Sequence, residues 1–169
     1  MTPLVKLQSS DGGEFSVEPK LARMSATVAG LMDAMGMTEG EDEEVYGKHV
    51  VPLPNVTKDV LQKVIEWCEY HKDDEPFVEQ PDDGREKDTT VPEWDKNFFE
   101  IDFKLLTEVM KAANYLDIRK LFIEISKTIA NMIKACKTAQ AIRDKFNIYC
   151  DLTKEEEEKI RKENSWCDE

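Results

Sequence analysis

The chain has 169 residues, of which 36 are acidic and 23 basic, giving a formal charge of −13. That length admits one domain with a real core plus an extension, while the charge argues against nucleic acid, whose phosphates demand basic stripes, and against anionic membrane surfaces. Met1–Val17 alternates apolar and polar residues without an apolar leader core, and no run approaches 18 apolar residues, so a soluble protein with no visible secretory signal is expected.

In chain order, Val5 and Leu7 share one face of a strand, Asp11-Gly12-Gly13 supplies a permissive turn, and Phe15 and Val17 resume the alternation of a β-hairpin. Pro19 starts a short helical turn. Ser25 caps a helix with Val28, Leu31, Met32 and Met35 at helical spacing as far as Gly36, placed to cover the hairpin. Glu39–Glu44 reads as an acidic loop, and Val50-Val51-Pro52-Leu53-Pro54 as a short extended edge strand, because proline disfavours helix at itself and before itself.

Thr57 is placed to cap a core helix whose stripe is Val60, Leu61, Val64, Ile65 and Cys68, ending near His71. From Lys72 to Pro92 the sequence is dense in Asp, Glu, Lys and Pro and reads as a flexible acidic insertion. A turn through Trp94, Phe98 and Phe99 leads to Asp102, the cap of a helix with Leu105, Leu106, Val109, Met110, Ala113 and Leu116. These apolar residues are too many for one stripe, so several elements or a partner must cover the helix. After Asp117, the residues Ile118, Leu121, Phe122, Ile125, Ile129, Met132 and Ile133 form a strong helical series. Thr138 caps a small helix with Ile142 and Phe146, and Phe146-Asn147-Ile148 looks extended.

The last segment, Asp151–Glu169, is a charged helix with little apolar surface: only Leu152, Ile160 and Trp166 are large and apolar. Thr153 and Glu156 form a capping box, and Glu155–Lys159, Glu157–Arg161 and Glu158–Lys162 lie four apart, each pair contributing roughly 0.2–0.5 kcal/mol. A short helix of this kind is marginal alone, and a tryptophan left on it needs a surface to cover, which points to a partner.

Little in the chain suggests catalysis or a cofactor. His49 and His71 stand without an adjacent nucleophile, and no GxSxG elbow, phosphate loop or GxGxxG turn occurs. Cys68 and His71 are three apart on one helix, but no second pair completes a zinc site. We therefore expect a buried thiol, an exposed histidine and no metal. Cys68, Cys136, Cys150 and Cys167 form no CxxC pair and fit free thiols in a reducing compartment.

Several ordered stretches resemble the S-phase kinase-associated (Skp) adaptor family: Val5–Gly12, Val51–Val56, Trp67-Cys68, His71–Asp74, Ala112–Ile118, Ala130–Lys134 and Glu155–Cys167. The resemblance is collinear over essentially the whole chain. It implies an α/β fold: a BTB/POZ-like core, a small three-stranded sheet with helices, at residues 1–134, interrupted by the acidic insertion at 72–92. A helical extension at residues 135–169 follows. It also implies a non-catalytic adaptor, cytoplasmic and nuclear, that joins a cullin to F-box proteins in SCF-type ubiquitin ligases.

By the same resemblance, the cullin surface includes Asn114, Tyr115, Pro54 and Asn55. The F-box surface includes Phe122, Ile129, Ile142, Phe146, Ile148, Leu152, Trp166 and Cys167. For Tyr115, Phe122 and Ile129 a place in the core is an equal alternative from the residues alone. Without an F-box partner, the exposed apolar face predicts weak homodimerisation.

The chain also departs from the family pattern. Where members carry glycine followed by Lys-Thr-Pro, it reads Ala135-Cys136-Lys137-Thr138-Ala139, one residue longer and lacking both the glycine cap and the N1 proline. Gly13 and Arg119-Lys120 also differ, as in a divergent paralogue. Rival readings are a BTB-type scaffold that has lost a cullin or receptor and a small enzyme or metal-binding protein.

Overall fold

Alternation in the first seventeen residues produces a hairpin whose buried face starts the core. The computed structural model describes residues 3–37, 46–47, 49–75, 77–78 and 88–168. Strand β1 (Val5–Ser9) pairs antiparallel with β2 (Glu14–Val17), Leu7 opposite Phe15, and Val5, Leu7 and Ser9 point inward. Gly12 has φ +82°, a backbone setting glycine adopts without strain. Strand β3 (Val50–Leu53) joins parallel to β1, giving the order β2-β1-β3, so Pro52 lies on an edge where its missing N–H is tolerated.

Pro19 opens the single-turn helix α1 (Pro19–Ala22), and Ser25 caps α2 (Ala26–Ala34) by accepting from the Val28 N–H. Helix α2 lies against β3. The acidic loop expected at Glu39–Glu44 lies outside the described residues, as do residues 76 and 79–87 of the expected insertion. The insertion's far end is not free: Asn131 Nδ2 donates to the Thr89 carbonyl at 2.9 Å, and Val91 is buried. The composition of 72–92 averages over these anchors and hides them.

Helix α3 (Lys58–His71) buries Val60, Leu61, Val64, Trp67 and Cys68. Thr57 occupies the N-cap position, but its side chain does not cap. Asp11 of the hairpin turn accepts from the Lys58 N–H at 2.9 Å instead, and Ser9 Oγ donates to that carboxylate at 2.6 Å. This long-range cap fixes the turn against the helix. Burial pushes the Cys68 thiol up to about 12, so it stays protonated.

Helix α4 (Glu93–Phe98) is followed by α5 (Phe103–Tyr115), capped by Asp102 as expected, and α6 (Arg119–Ala135). Asp117 joins the last two at φ 51°, with the Ile118 N–H reaching back to the Ala113 carbonyl as a helix C-cap. Helices α3 and α5 pack together. Trp67, Leu106, Val109, Leu121 and Ile125 are fully buried, each apolar chain contributing roughly 1.5–3 kcal/mol.

His71, expected at an exposed helix end, is buried, because α4 and α6 close over that end of α3. Its Nε2 lies 3.2 Å from Asp95 Oδ1 of α4, and its Nδ1 lies 2.6 Å from Asp74 Oδ2. Trp67 Nε1 donates to the same Asp95 Oδ1 at 2.7 Å, and Asp95 is 0% exposed. Lys120 of α6 pairs with Asp74, and Lys120 and then His71 hold that carboxyl below the usual carboxylate range.

The chain divides into two compact units, Met1–Asn131 and Met132–Glu169. In the second, Thr138 accepts from the Ala141 N–H and caps α7 (Ala139–Phe146) without glycine or proline. Phe146-Asn147-Ile148 is not extended: Phe146 ends the helix and Asn147 is a left-handed cap at φ 52°, with the Ile148 N–H bonded to the Arg143 carbonyl. Asparagine tolerates that conformation, a cue weaker than the apolar pattern around it. Helix α8 (Lys154–Glu163) has both halves of the Thr153–Glu156 capping box, and Ser165–Asp168 forms a 3-10 turn.

Candidate functional site

The C-terminal turn of α5 is latched from α2. Thr27 Oγ1 donates to the Tyr115 carbonyl at 2.9 Å and Ser25 Oγ to the Leu116 carbonyl at 2.5 Å. Asn114 is exposed and Tyr115 half-buried, so both side chains are presented from a fixed backbone. Pro54 and Asn55 are exposed on the turn after β3, which is held to the hairpin by the Ser10 N–H donating to the Val56 carbonyl at 2.8 Å. Among the described residues, no recorded hydrogen bond joins these two segments.

Of the apolar residues expected at an F-box surface, Phe122 and Ile129 belong to the first unit and are half-buried on α6. The rest belong to the second unit, where no described side chain is buried. Ile142 and Phe146 are half-buried. Ile148, Leu152 and Trp166 are exposed, Trp166 by 72%. The side chain of Cys167 lies outside those described. Tyr149, which is not among the residues expected there, is 88% exposed, and Ile133 and Ile160 are exposed as well. Tyr149 follows Ile148 directly, so the adjacency itself was the available signal.

Within this unit an ion pair links two helices. Arg143 Nη1 of α7 lies 2.9 Å from Glu157 Oε1 of α8, joining the two helices. That bond holds the Glu157 carboxyl below its ordinary range. The intrahelical partner expected for Glu157 was Arg161. Lys159 likewise turns to Glu163, 4.0 Å away, instead of Glu155. Four-residue spacing measures opportunity along one helix and is blind to a cation arriving from another.

The buried imidazole of His71 is committed to two carboxylates and stacks on Trp67 with centroids 4.1 Å apart. No group of three His, Cys, Asp or Glu among the described residues could hold a metal ion, and no helix among them is long and apolar enough to cross a membrane.

Comparison with known proteins identifies both halves. Residues 3–73 match the Skp1 family tetramerisation domain, and residues 117–167 match the Skp1 family dimerisation domain. The chain is 44% identical over 169 residues to the E3 ubiquitin ligase complex SCF subunit sconC of Talaromyces marneffei, covering 100% of this chain and 99% of the relative. The protein of the same description from Arthroderma benhamiae is also 44% identical, covering 99% of this chain and 97% of that one.

Proposed function

This chain belongs to the Skp1 family, and on that footing we propose that it is a non-catalytic adaptor of SCF-type E3 ubiquitin ligases, bridging a cullin to F-box substrate receptors. The observation that carries this reading is the exposure of the second unit: its large apolar side chains are few, and none of those described is buried. A folded segment that buries none of its large apolar groups is built to bury them elsewhere. In an adaptor the mechanism is positional, since a receptor fixed to a scaffold raises the effective concentration of its substrate near the charged ubiquitin carrier.

Asn114 and Tyr115, with Pro54 and Asn55, form the cullin-facing part of this proposal. Phe122 and Ile129 in the first unit, and Ile142, Phe146, Ile148, Leu152, Trp166 and Cys167 in the second, form the F-box-facing part. Free of a receptor, the exposed apolar residues of the second unit favour weak self-association. Cys68, Cys136 and Cys150 are free thiols, which fits the reducing cytoplasm and nucleus.

The cullin assignment is tested by Asn114→Lys together with Tyr115→Lys. Tyr115 combines a large ring with a polar tip, as hot-spot residues do, and truncating such a residue costs about 2 kcal/mol or more. Cullin affinity measured by calorimetry should therefore fall at least about thirtyfold. The latch to α2 uses the Tyr115 backbone carbonyl, so the thermal midpoint should stay nearly unchanged. Unaltered affinity would refute the assignment.

A further inference from the structure

A row of stacked aromatic rings lies on the first unit and shares no residue with the cullin or F-box assignments. Tyr70 of α3 stacks on Trp94 of α4 with centroids 3.8 Å apart and planes 4° from parallel, and Trp94 stacks on Phe98 at 4.9 Å and 13°. Tyr70 is 54% exposed, and Trp94 and Phe98 are half-exposed. A solvent-facing row of parallel rings does not arise from burial. It is imposed from below: Asp95, next to Trp94, is the buried acceptor for Trp67 and His71, and His71 meets Tyr70 and Trp94 edge to face at 5.0 and 5.5 Å. Three side chains of α3 and α4, Trp67, His71 and Asp95, thus fix the rings before any partner arrives, lowering the ordering cost of binding.

The chemistry of the row selects its occupant. At one end Lys63 Nζ already sits 5.1 Å from the Phe98 centroid, a cation over a ring face supplied by the chain itself. At the other end, the exposed Tyr70 ring has no recorded cation over it. Glu69, next to Tyr70 in the chain, is exposed and has no ion pair among the described residues. Lys63 and Lys96 are each taken up by a carboxylate, Glu66 at 2.7 Å and Glu93 at 3.5 Å.

We propose that the Tyr70–Trp94–Phe98 stack is a docking surface for an arginine-bearing segment of a partner protein. A guanidinium extends the row by stacking flat on Tyr70 while its N–H groups stay free to pair with an exposed carboxylate such as Glu69, a combination that lysine's compact ammonium does not offer. The chain's charge of −13 adds long-range attraction for such a segment.

The test is a titration of the full-length 15N-labelled protein with a synthetic Gly-Arg-Gly-Arg-Gly peptide, with the Trp94 indole N–H assigned through Trp94→Phe. The expected result is a saturable shift of the Tyr70 amide and the Trp94 indole, with affinity at least fivefold lower for Tyr70→Ala. The peptide with citrulline in place of arginine, uncharged but nearly isosteric, should show the same loss. Because Tyr70 is exposed, Tyr70→Ala should fold, and Tyr70→Gln serves as a second variant that keeps the chain's length while removing the ring. Shifts spread over the acidic surface without a Trp94 response would overturn the proposal, as would equal affinity in the Tyr70 variants. Stronger binding of a polyproline peptide than of the arginine peptide would overturn it too.

Discussion

Ending the chain after Tyr149 is expected to abolish capture of an F-box protein while leaving the thermal midpoint within a few degrees of the full chain. The removed residues contribute no buried side chain among those described, so the core loses nothing. What disappears is Leu152, Ile160 and Trp166, all exposed, and the Arg143–Glu157 bond between α7 and α8. A single change should show much of the effect. An interfacial tryptophan typically contributes about 2–4 kcal/mol, so Trp166→Ala should weaken F-box binding by roughly thirtyfold to a thousandfold, read by surface plasmon resonance. A truncated chain that captures the receptor at native affinity would show that the second unit is not the receptor surface.

The largest effect on stability is expected at Asp95. Alanine there leaves the Trp67 indole N–H without its acceptor and His71 Nε2 facing no carboxylate, in a region where Asp95 and Trp67 are both 0% exposed. Breaking a buried polar pair from one side costs about 3–5 kcal/mol. For a chain of this size that lowers the melting temperature by roughly 6–20 °C. Asp95→Asn separates the terms: its Oδ1 still accepts from Trp67, and its amide replaces Oδ2, which has no hydrogen-bond partner among the described residues. The loss should then fall to about half or less, and what remains reflects the missing negative charge that faces His71. Calorimetric melting of the three proteins side by side decides it, and an Asp95→Ala midpoint equal to the parent's would mean the network stabilises nothing.

Much of this architecture was legible because local rules and tertiary packing agreed. Ser25, Asp102, Thr138 and Thr153 all cap the helices they were expected to cap, and the proline-rich strand sits on a sheet edge. Three of the failures share one cause: a partner arriving from elsewhere in the chain. Asp11 caps α3 from 47 residues away, displacing Thr57. Asp95, on another helix, closes over His71, which local pattern placed in solvent. Arg143 takes Glu157 from its own helix. At Asn147 the miss was local, since a left-handed asparagine ended a helix where apolar residues suggested a strand. Cysteine and glycine spacing could say nothing of the Tyr70–Trp94–Phe98 row, because the insertion separates its two halves in sequence.

The altered junction from Ala135 to Ala139 now has a physical description. Thr138 caps α7 through the Ala141 N–H at 3.1 Å, and Cys136 Sγ donates to the Met132 carbonyl at 3.3 Å, so the helix starts without the proline and its predecessor ends without the glycine. The cost of losing a preset N1 residue is borne by a side-chain cap contributing about 1 kcal/mol.

Bridging is the central claim, and light scattering coupled to size-exclusion chromatography tests it most directly. The full chain, the N-terminal domain of a cullin and an F-box protein, mixed in equal amounts, should elute as one species whose mass equals the sum of the three. Two binary complexes that exclude each other, or a cullin and a receptor that never share a peak, would contradict it.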